Sequence, residues 1–251
     1  MCTSYRKRVF QFYSGCVMSG QSAGAAKSGE LTVEDVRDSK VAYPTGNPNF
    51  SVVQPFPSAF GEKETDPFLM CDEFGPTVSK GAIQDPDEFP VGWHPHVGMD
   101  ICTYMREGVG RHADSLGNRG NFSSPGFQWI SVGSGIEHAE GGGTPAGETT
   151  HGFQLWVNVP RARKNDDPRY GTEDKSSMPQ LQVAENSKVT VIAGPLQGSN
   201  GPFMTAQPVQ ICDYEIAAGK SCTHTVPGGM ETVLVYVYKG NGSLAGTTVT
   251  E

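Results

Sequence analysis

The sequence lacks both the long apolar runs of a membrane protein and the composition of a helical bundle. No stretch approaches the roughly 20 apolar residues that a transmembrane helix needs, so no membrane is expected as a partner. Only 18% of the residues are charged, whereas 32 glycines and 18 prolines supply about one residue in five. A bundle or coiled coil would instead be rich in Ala, Glu, Lys and Leu. This balance predicts an all-β fold of short strands joined by tight turns.

Cysteine is present at an ordinary level, and no two cysteines form a C-x-x-C pair. Six cysteines in a chain of 251 residues do not indicate a disulfide framework. Unpaired thiols persist mainly in reducing compartments. We therefore expect reduced cysteines in an intracellular protein.

Acidic residues are missing from the first 29 positions, although the whole chain carries a net charge of −8. Residues 1–29 contain Arg6, Lys7, Arg8 and Lys27, so the rest of the chain is strongly acidic. An acidic body disfavours binding to phosphates, and no direct nucleic-acid partner is expected. The basic start is typical either of a disordered tail or of an organelle transit peptide. Both alternatives place residues 1–29 outside the folded domains.

Alternating and β-branched patterns predict strands along most of the remaining chain. The clearest alternation covers residues 153–159, where Phe153, Leu155 and Val157 share one face. The signal for a short helix at 33–36 is weak, and Gly240-Asn241-Gly242 indicates a hairpin turn. A polar, proline-containing stretch at 161–180 is the best linker candidate. These patterns predict two tandem β-domains, at 30–170 and 181–251, the second of them incomplete. Further strands are predicted at 99–105, 127–132, 188–193, 209–216, 221–226 and 232–239.

Histidine and glutamate supply the chemistry-bearing pattern. His94 and His96 are two residues apart, and so are His138 and Glu140. Residues two apart on a strand face the same side, so each pair can direct two ligands at one centre. Three imidazoles and one carboxylate suit Fe(II) and, less selectively, Mn, Ni, Cu or Zn. Glycines such as Gly133 and Gly135 would let the backbone turn sharply just before the second pair.

The same region resembles the pirin family of the cupin superfamily. The resemblance runs with few gaps from about Asp66 to Tyr170, and more loosely to Gly240. It rests on many blocks in the right order, which together are far more specific than one His-x-His. The blocks are Asp66-Pro-Phe-Leu, Asp72-Glu-Phe, His94-Pro-His96, His112-Ala-Asp-Ser-Leu-Gly-Asn-Arg-Gly120, Pro125-Gly, Gln128-Trp129, residues 133–140, His151-Gly-Phe-Gln-Leu-Trp-Val-Asn-Val-Pro160 and Pro168-Arg-Tyr170.

The resemblance implies a bicupin, that is, two antiparallel β-sandwich barrels. It implies one Fe(II) in the first barrel, held by His94, His96, His138 and Glu140. It also implies a second barrel without metal, and the chain agrees because residues 181–251 contain His224 as their single histidine. Family members are known as quercetin 2,3-dioxygenases, and in animals as nuclear iron-dependent transcriptional co-regulators. Glu140 is then a candidate both for a metal ligand and for the base that takes a substrate hydroxyl proton.

Two positions depart from the family pattern. The family usually has an arginine directly after the second histidine and a glutamate four residues after it, where this chain has Val97 and Asp100. The missing arginine bears on which substrate charge the site prefers. Outside the metal pattern, we expect His112 to lie in a loop and His151 to pack in the core. We expect Trp129 and Trp156 to pack in or between the barrels. For Trp129, lining the cavity is an alternative.

Three functions are compatible with such a metal site. The first is a ring-opening dioxygenase that acts on a flavonol. The second is a redox-sensing co-regulator whose partner is a transcription factor, contacted as a protein because the body is acidic. The third is a metal-binding bicupin with an unrelated small-molecule role. A metal site serves all three, and the motifs do not identify the substrate because they do not fix the residues that line the cavity.

Overall fold

The computed structural model describes residues 7–14, 18–23, 32–38, 42–44 and 50–251. It divides the chain into two compact units. The large unit comprises Asp38–Ser176 together with Thr205–Gln207, and the small unit comprises Met1–Arg37, Ser177–Met204 and Pro208–Glu251. The main division at Ser177 falls within the stretch 161–180 that the sequence marks as a linker.

Strands make up most of the described chain. In order they are β1 (Lys7–Ser14), β2 (Met18–Ala23), β3 (Ala42–Pro44), β4 (Ser51–Phe56), β5 (Phe68–Val78), β6 (Val91–His96), β7 (Met99–Glu107), β8 (Val109–Asp114), β9 (Arg119–Ser123), β10 (Gly126–Ser131), β11 (Ile136–Glu140), β12 (Thr149–Asn158), β13 (Arg169–Glu173), β14 (Gln180–Ala184), β15 (Ser187–Leu196), β16 (Ser199–Pro202), β17 (Gln210–Glu215), β18 (Cys222–Pro227), β19 (Met230–Lys239), β20 (Asn241–Leu244) and β21 (Thr247–Thr250). Helical structure among the described residues is confined to α1 (Glu62–Thr65) and a 3₁₀ turn at Arg161–Arg163. Among the described residues, no helix has the length and apolar character needed to cross a membrane.

The large unit is a sandwich of two antiparallel sheets. Seven strands form one sheet in the order β13-β10-β7-β12-β5-β4-β3, and four form the other in the order β6-β11-β8-β9. Ile101 and Ile130 of the larger sheet pack with Ile136 of the smaller sheet. The two inner faces therefore enclose a common core, and the predicted histidine pairs lie on the four-stranded sheet.

Strand β12 faces the smaller sheet with its half-buried side, where Gln154 reaches Glu140 and Trp156 packs against the cluster of Ile101 and Ile136. Phe153, Leu155 and Val157 are fully buried, and they alternate with the half-buried Gln154 and Trp156. This period of two is the pattern of a strand with two different faces. The predicted strand at 153–159 is confirmed, and it lies centrally between β7 and β5.

The small unit is a second sandwich, with sheets β14-β15-β17-β1-β19 and β18-β2-β20-β21, and β16 beside β15. Its core contains Val189, Val191, Cys212 and Tyr214. The predicted all-β sandwich fold class is confirmed, although the small unit combines strands from both ends of the chain. Most strand pairs are antiparallel, but β1 runs parallel to β17 and β19, and β2 runs parallel to β18 and β20.

Three local predictions differ from the structure. Residues 1–29 were expected to lie outside the folded domains, yet β1 and β2 join the sheets of the small unit. The β-branched and aromatic residues at 9–13 favour a strand there. The expected helix at 33–36 is wrong, since residues 32–38 contain no helix and so short a helix has little stability of its own. The hairpin turn is at Ala245-Gly246, where both residues have positive φ as a type I′ turn requires, and not at 240–242.

Candidate metal centre

Strands β6 and β11 bring the two predicted pairs together. They pair in antiparallel register with His138 opposite His94, so both pairs lie on the inner face of the four-stranded sheet. One ring nitrogen each from His94, His96 and His138 lies within 4.8 Å of the others. The Nε2 atoms of His94 and His138 are 3.0 Å apart and therefore point into the same space. Three of the four predicted ligands are thus adjacent.

The glycines before β11 have the conformations that the sharp turn needs. Gly133 has a φ of +54°, and a Cβ atom there would lie 1.9 Å from the Asp166 carbonyl oxygen. Gly135 has a φ of +142°, which side chains with a Cβ rarely adopt. These glycines let the chain enter β11 with His138 aimed inward.

Hydrogen bonds and burial prepare the imidazoles for a cation. His94 Nδ1 lies 2.7 Å from the Gly92 carbonyl oxygen, so it carries the proton and leaves the Nε2 lone pair free. His96 Nε2 is buried without a hydrogen-bond partner among the described residues. Neutral imidazole nitrogens that converge in this way are suitable ligands for a divalent transition metal. The donor set therefore fits the metal that the family resemblance implies.

The pKa values keep two of these rings neutral. The pKa of His96 falls to about 4, mainly because the ring is buried and also because His138 and His94 are close; Glu140 opposes the change. The pKa of His138 falls to about 3, again mainly through burial and then through His94 and His112. Near pH 7 both rings lack the positive charge that would repel a cation.

Glu140 lies beside the histidine cluster but is not a member of it. Its Oε1 accepts a hydrogen bond of 2.5 Å from Gln154 Nε2. Its Oε2 accepts weaker ones from Gln128 Nε2 at 3.4 Å and Thr103 Oγ1 at 3.5 Å. Glu140 is therefore held by neutral donors of the opposite sheet, and its assignment as the fourth ligand stays a prediction.

The residues around Glu140 form a polar row that the motifs do not reveal. Asp72, Gln154, Thr103 and Gln128 occupy successive register positions on β5, β12, β7 and β10. Burial raises the pKa of Asp72 to about 6, a hydrogen bond from Gln54 opposes this, and the nearby Glu140 charge adds to it. Two signals were available in the sequence: polar Gln154 alternates with the buried residues of β12, and Asp72, Gln128 and Gln154 stand in the motif blocks. Neither signal showed that this face turns toward the histidines.

The other residues considered in the sequence have defined places. His112 was expected in a loop but is 1% exposed on β8, where Tyr170 stacks on it with ring centroids 4.4 Å apart. His151 is buried and pairs with Glu73 over 2.8 Å. Trp156, not Trp129, meets the cluster: its ring lies edge-on to His96 at 5.0 Å, and its Nε1 donates to Gln154 Oε1.

The two departures from the family pattern lie in different surroundings. Val97 directly follows His96 and is 61% exposed. Asp100 is buried, and its carboxylate accepts a hydrogen bond of 2.9 Å from the Ala206 backbone nitrogen. The missing arginine therefore affects an exposed position beside the histidines, whereas Asp100 has a structural partner.

Comparison with known proteins supports this organisation. The family model described as Pirin matches residues 49–157. A Pseudomonas aeruginosa protein provisionally named quercetin 2,3-dioxygenase is 37% identical over 72% of this chain and 63% of its own length. Pirin-1 of Arabidopsis thaliana is 33% identical over 74% of this chain and 60% of its own length. A Vibrio cholerae protein, also provisionally named quercetin 2,3-dioxygenase, is 31% identical over 82% of this chain and 72% of its own length.

Structural comparison gives the same family. A crystal structure of quercetin 2,3-dioxygenase from Acinetobacter baumannii shares 27% sequence identity and a TM-score of 0.61, covering 68% of this chain and 60% of the other. The chain spans a little under two thirds of the length of the first two relatives.

Proposed function

The chain belongs to the pirin family, and we propose from this premise that it binds one Fe(II) through His94, His96 and His138. Glu140 is the candidate fourth ligand. The observation that carries the proposal is the convergence of three ring nitrogens within 4.8 Å. Other divalent metals suit the same donors. We choose Fe(II) because the family resemblance implies it and because a nitrogen-rich site with open positions suits this ion.

We further propose that the reaction is the oxygenative ring opening of a flavonol such as quercetin. Two of the relatives and the solved structure described above bear the name quercetin 2,3-dioxygenase. When bound, Fe(II) would supply positive charge for the substrate oxygens and the redox chemistry that dioxygen requires.

Glu140 is the residue suited to take the proton of the flavonol hydroxyl. It is 9% exposed, and Gln154, Gln128 and Thr103 hold its two oxygens in place without giving it a cationic partner. A positioned carboxylate of this kind acts as a general base when the hydroxyl comes within hydrogen-bond reach. Trp156 adds an aromatic surface beside His96 against which a flat ring can pack.

Turnover by the iron-loaded protein tests the proposal. We expect weak aerobic consumption of O₂ with quercetin, because this chain has Val97 where the family pattern implies an arginine beside the second histidine. A His96→Ala variant should lose both metal and turnover. A Glu140→Gln variant should lose more turnover than metal, whereas Glu137→Gln, on the exposed face of the same strand, should change neither.

The outcomes separate two functions of one metal site. Metal-loaded protein that consumes no O₂ with any flavonol tested would contradict the dioxygenase. If its affinity for a transcription factor then changed with the oxidation state of iron, the co-regulator function would replace it.

A further inference from the structure

A third pair of polar residues two positions apart lies beside the histidine cluster. His112 and Asp114 belong to β8, which pairs with β11 so that Asp114 is opposite His138 and His112 is opposite Glu140. Both are buried, at 1% and 5% exposure. The smaller sheet therefore presents three such pairs side by side, on β6, β11 and β8.

Asp114 fixes the proton of His112. Its Oδ2 lies 3.1 Å from His112 Nε2 and also accepts from Asn118 Nδ2 at 2.8 Å. Its Oδ1 accepts from the backbone nitrogens of Leu116 and Asn118. A carboxylate surrounded by donors acts as an acceptor, so His112 carries its proton on Nε2 and presents a lone pair at Nδ1. Stacking on Tyr170 holds the plane of the ring.

His138, in contrast, needs a hydrogen-bond acceptor for its Nδ1 when it binds a metal. Its Nε2 points toward His94, so binding a metal through that atom requires the proton to be on Nδ1. His138 Nδ1 and His112 Nδ1 are both buried without a hydrogen-bond partner among the described residues. The two rings are neighbours, with centroids 5.5 Å apart. One nitrogen needs an acceptor, and the other is an acceptor without a donor.

We propose that His112 is a positioning residue. When His138 binds a metal through Nε2, His112 Nδ1 accepts a hydrogen bond from the Nδ1–H group of His138, and Asp114 holds His112 from behind. The chain of contacts is then carboxylate, imidazole, imidazole and metal. Such outer partners hold a ligand ring in orientation and increase its basicity. This inference rests on the metal site of the proposed function.

The experiment measures Co(II) and Fe(II) affinity in matched variants. His112→Phe keeps a ring on Tyr170 but removes the acceptor, and we expect the affinity to fall about 10–100-fold, as for loss of other outer partners. His112→Asn keeps an acceptor near the position of Nδ1 and should recover much of the affinity. The control is His151→Phe, which breaks another buried pair of histidine and carboxylate, at Glu73, outside the cluster. This control should bind metal as the wild-type protein does.

A spectroscopic measurement distinguishes positioning from a general loss of structure. In ¹⁵N-labelled protein loaded with Zn(II), we expect a protonated Nδ1 on His138, and its proton resonance should shift in Asp114→Asn. Asp114→Asn also tests the inference if His112→Phe does not fold. Wild-type affinity retained by His112→Phe, or an equal loss in His151→Phe, would overturn the inference alone. Failure of the wild-type protein to bind metal would overturn the proposed function with it.

Discussion

The large and small units both bury histidine on their four-stranded sheets, but they surround it differently. In the large unit, the ring nitrogens of His94, His96 and His138 converge on one point. In the small unit, His224 of β18 pairs through Nδ1 with the Tyr214 hydroxyl over 2.6 Å. The large unit directs several imidazole lone pairs at one site, whereas the small unit has a single imidazole hydrogen-bonded within its core.

The residues two positions from each histidine account for the difference. On β6 and β11 these positions carry a second histidine or a glutamate, whereas Cys222 and Val226 flank His224 on β18. Burial raises the pKa of the Cys222 thiol to about 11, so it stays protonated and is a poor metal ligand near pH 7. A buried imidazole becomes part of a metal site only where its neighbours on the same face are also ligands.

The largest expected effect is on metal content. Replacing His94 and His138 together by alanine should abolish stoichiometric binding, a greater loss than the roughly 10–100-fold caused by changing an outer partner. His224→Ala should leave the metal content unchanged, because the described part of the small unit offers no second histidine. Elemental analysis of the folded proteins measures both. Full metal occupancy in the double variant would contradict the assignment, as would loss of metal in His224→Ala.

A second effect concerns the pH dependence of the stability of the small unit. Burial lowers the pKa of His224 to about 4, while an unfolded histidine titrates near pH 6.5. The neutral, buried His224 therefore contributes up to about 3 kcal/mol to the free energy of unfolding. This contribution is complete above pH 6.5 and is lost as the pH falls toward 4. His224→Gln should flatten this part of the dependence of unfolding free energy on pH.

Two optical signals assign that loss to a unit. All three tryptophans, Trp93, Trp129 and Trp156, belong to the large unit, so tryptophan fluorescence follows that unit. Circular dichroism follows both units. We expect His224→Gln to change the pH dependence seen by circular dichroism and not that seen by fluorescence. An unchanged pH dependence by circular dichroism would contradict the role given to His224.

The smallest effect concerns charge beside the metal centre. Val97→Arg introduces the cation that the family pattern implies after the second histidine, and it should lower KM for an anionic flavonol by a few fold without changing metal content. The gain should shrink as salt is added, because the position is exposed. Val78→Arg, at another exposed valine, is the matched control. Equal effects of the two substitutions would indicate a general change in net charge.

Strand periodicity and short motifs predicted much of the site from the sequence. The His-x-His and His-x-Glu pairs indicated two ligand pairs on strands, and the structure brings the three histidines together. The same rule applies to His112 and Asp114, but His112 was assigned to a loop because it lies in a polar, glycine-rich stretch. A spacing of two was therefore informative at all three places, but at β8 the surrounding composition obscured it.

The sequence by itself determined the all-β character, the most clearly patterned strands and the faces on which the ligand pairs lie, because alternation is a local property of a strand. Only the tertiary structure decided which strands are neighbours and which sheet face meets which. His94 and His138 are 44 positions apart yet 3.0 Å apart in space. Gln154 reaches Glu140 only because β12 lies in the sheet opposite β11. These contacts depend on long-range pairing and on burial shared between two sheets, which no local pattern encodes.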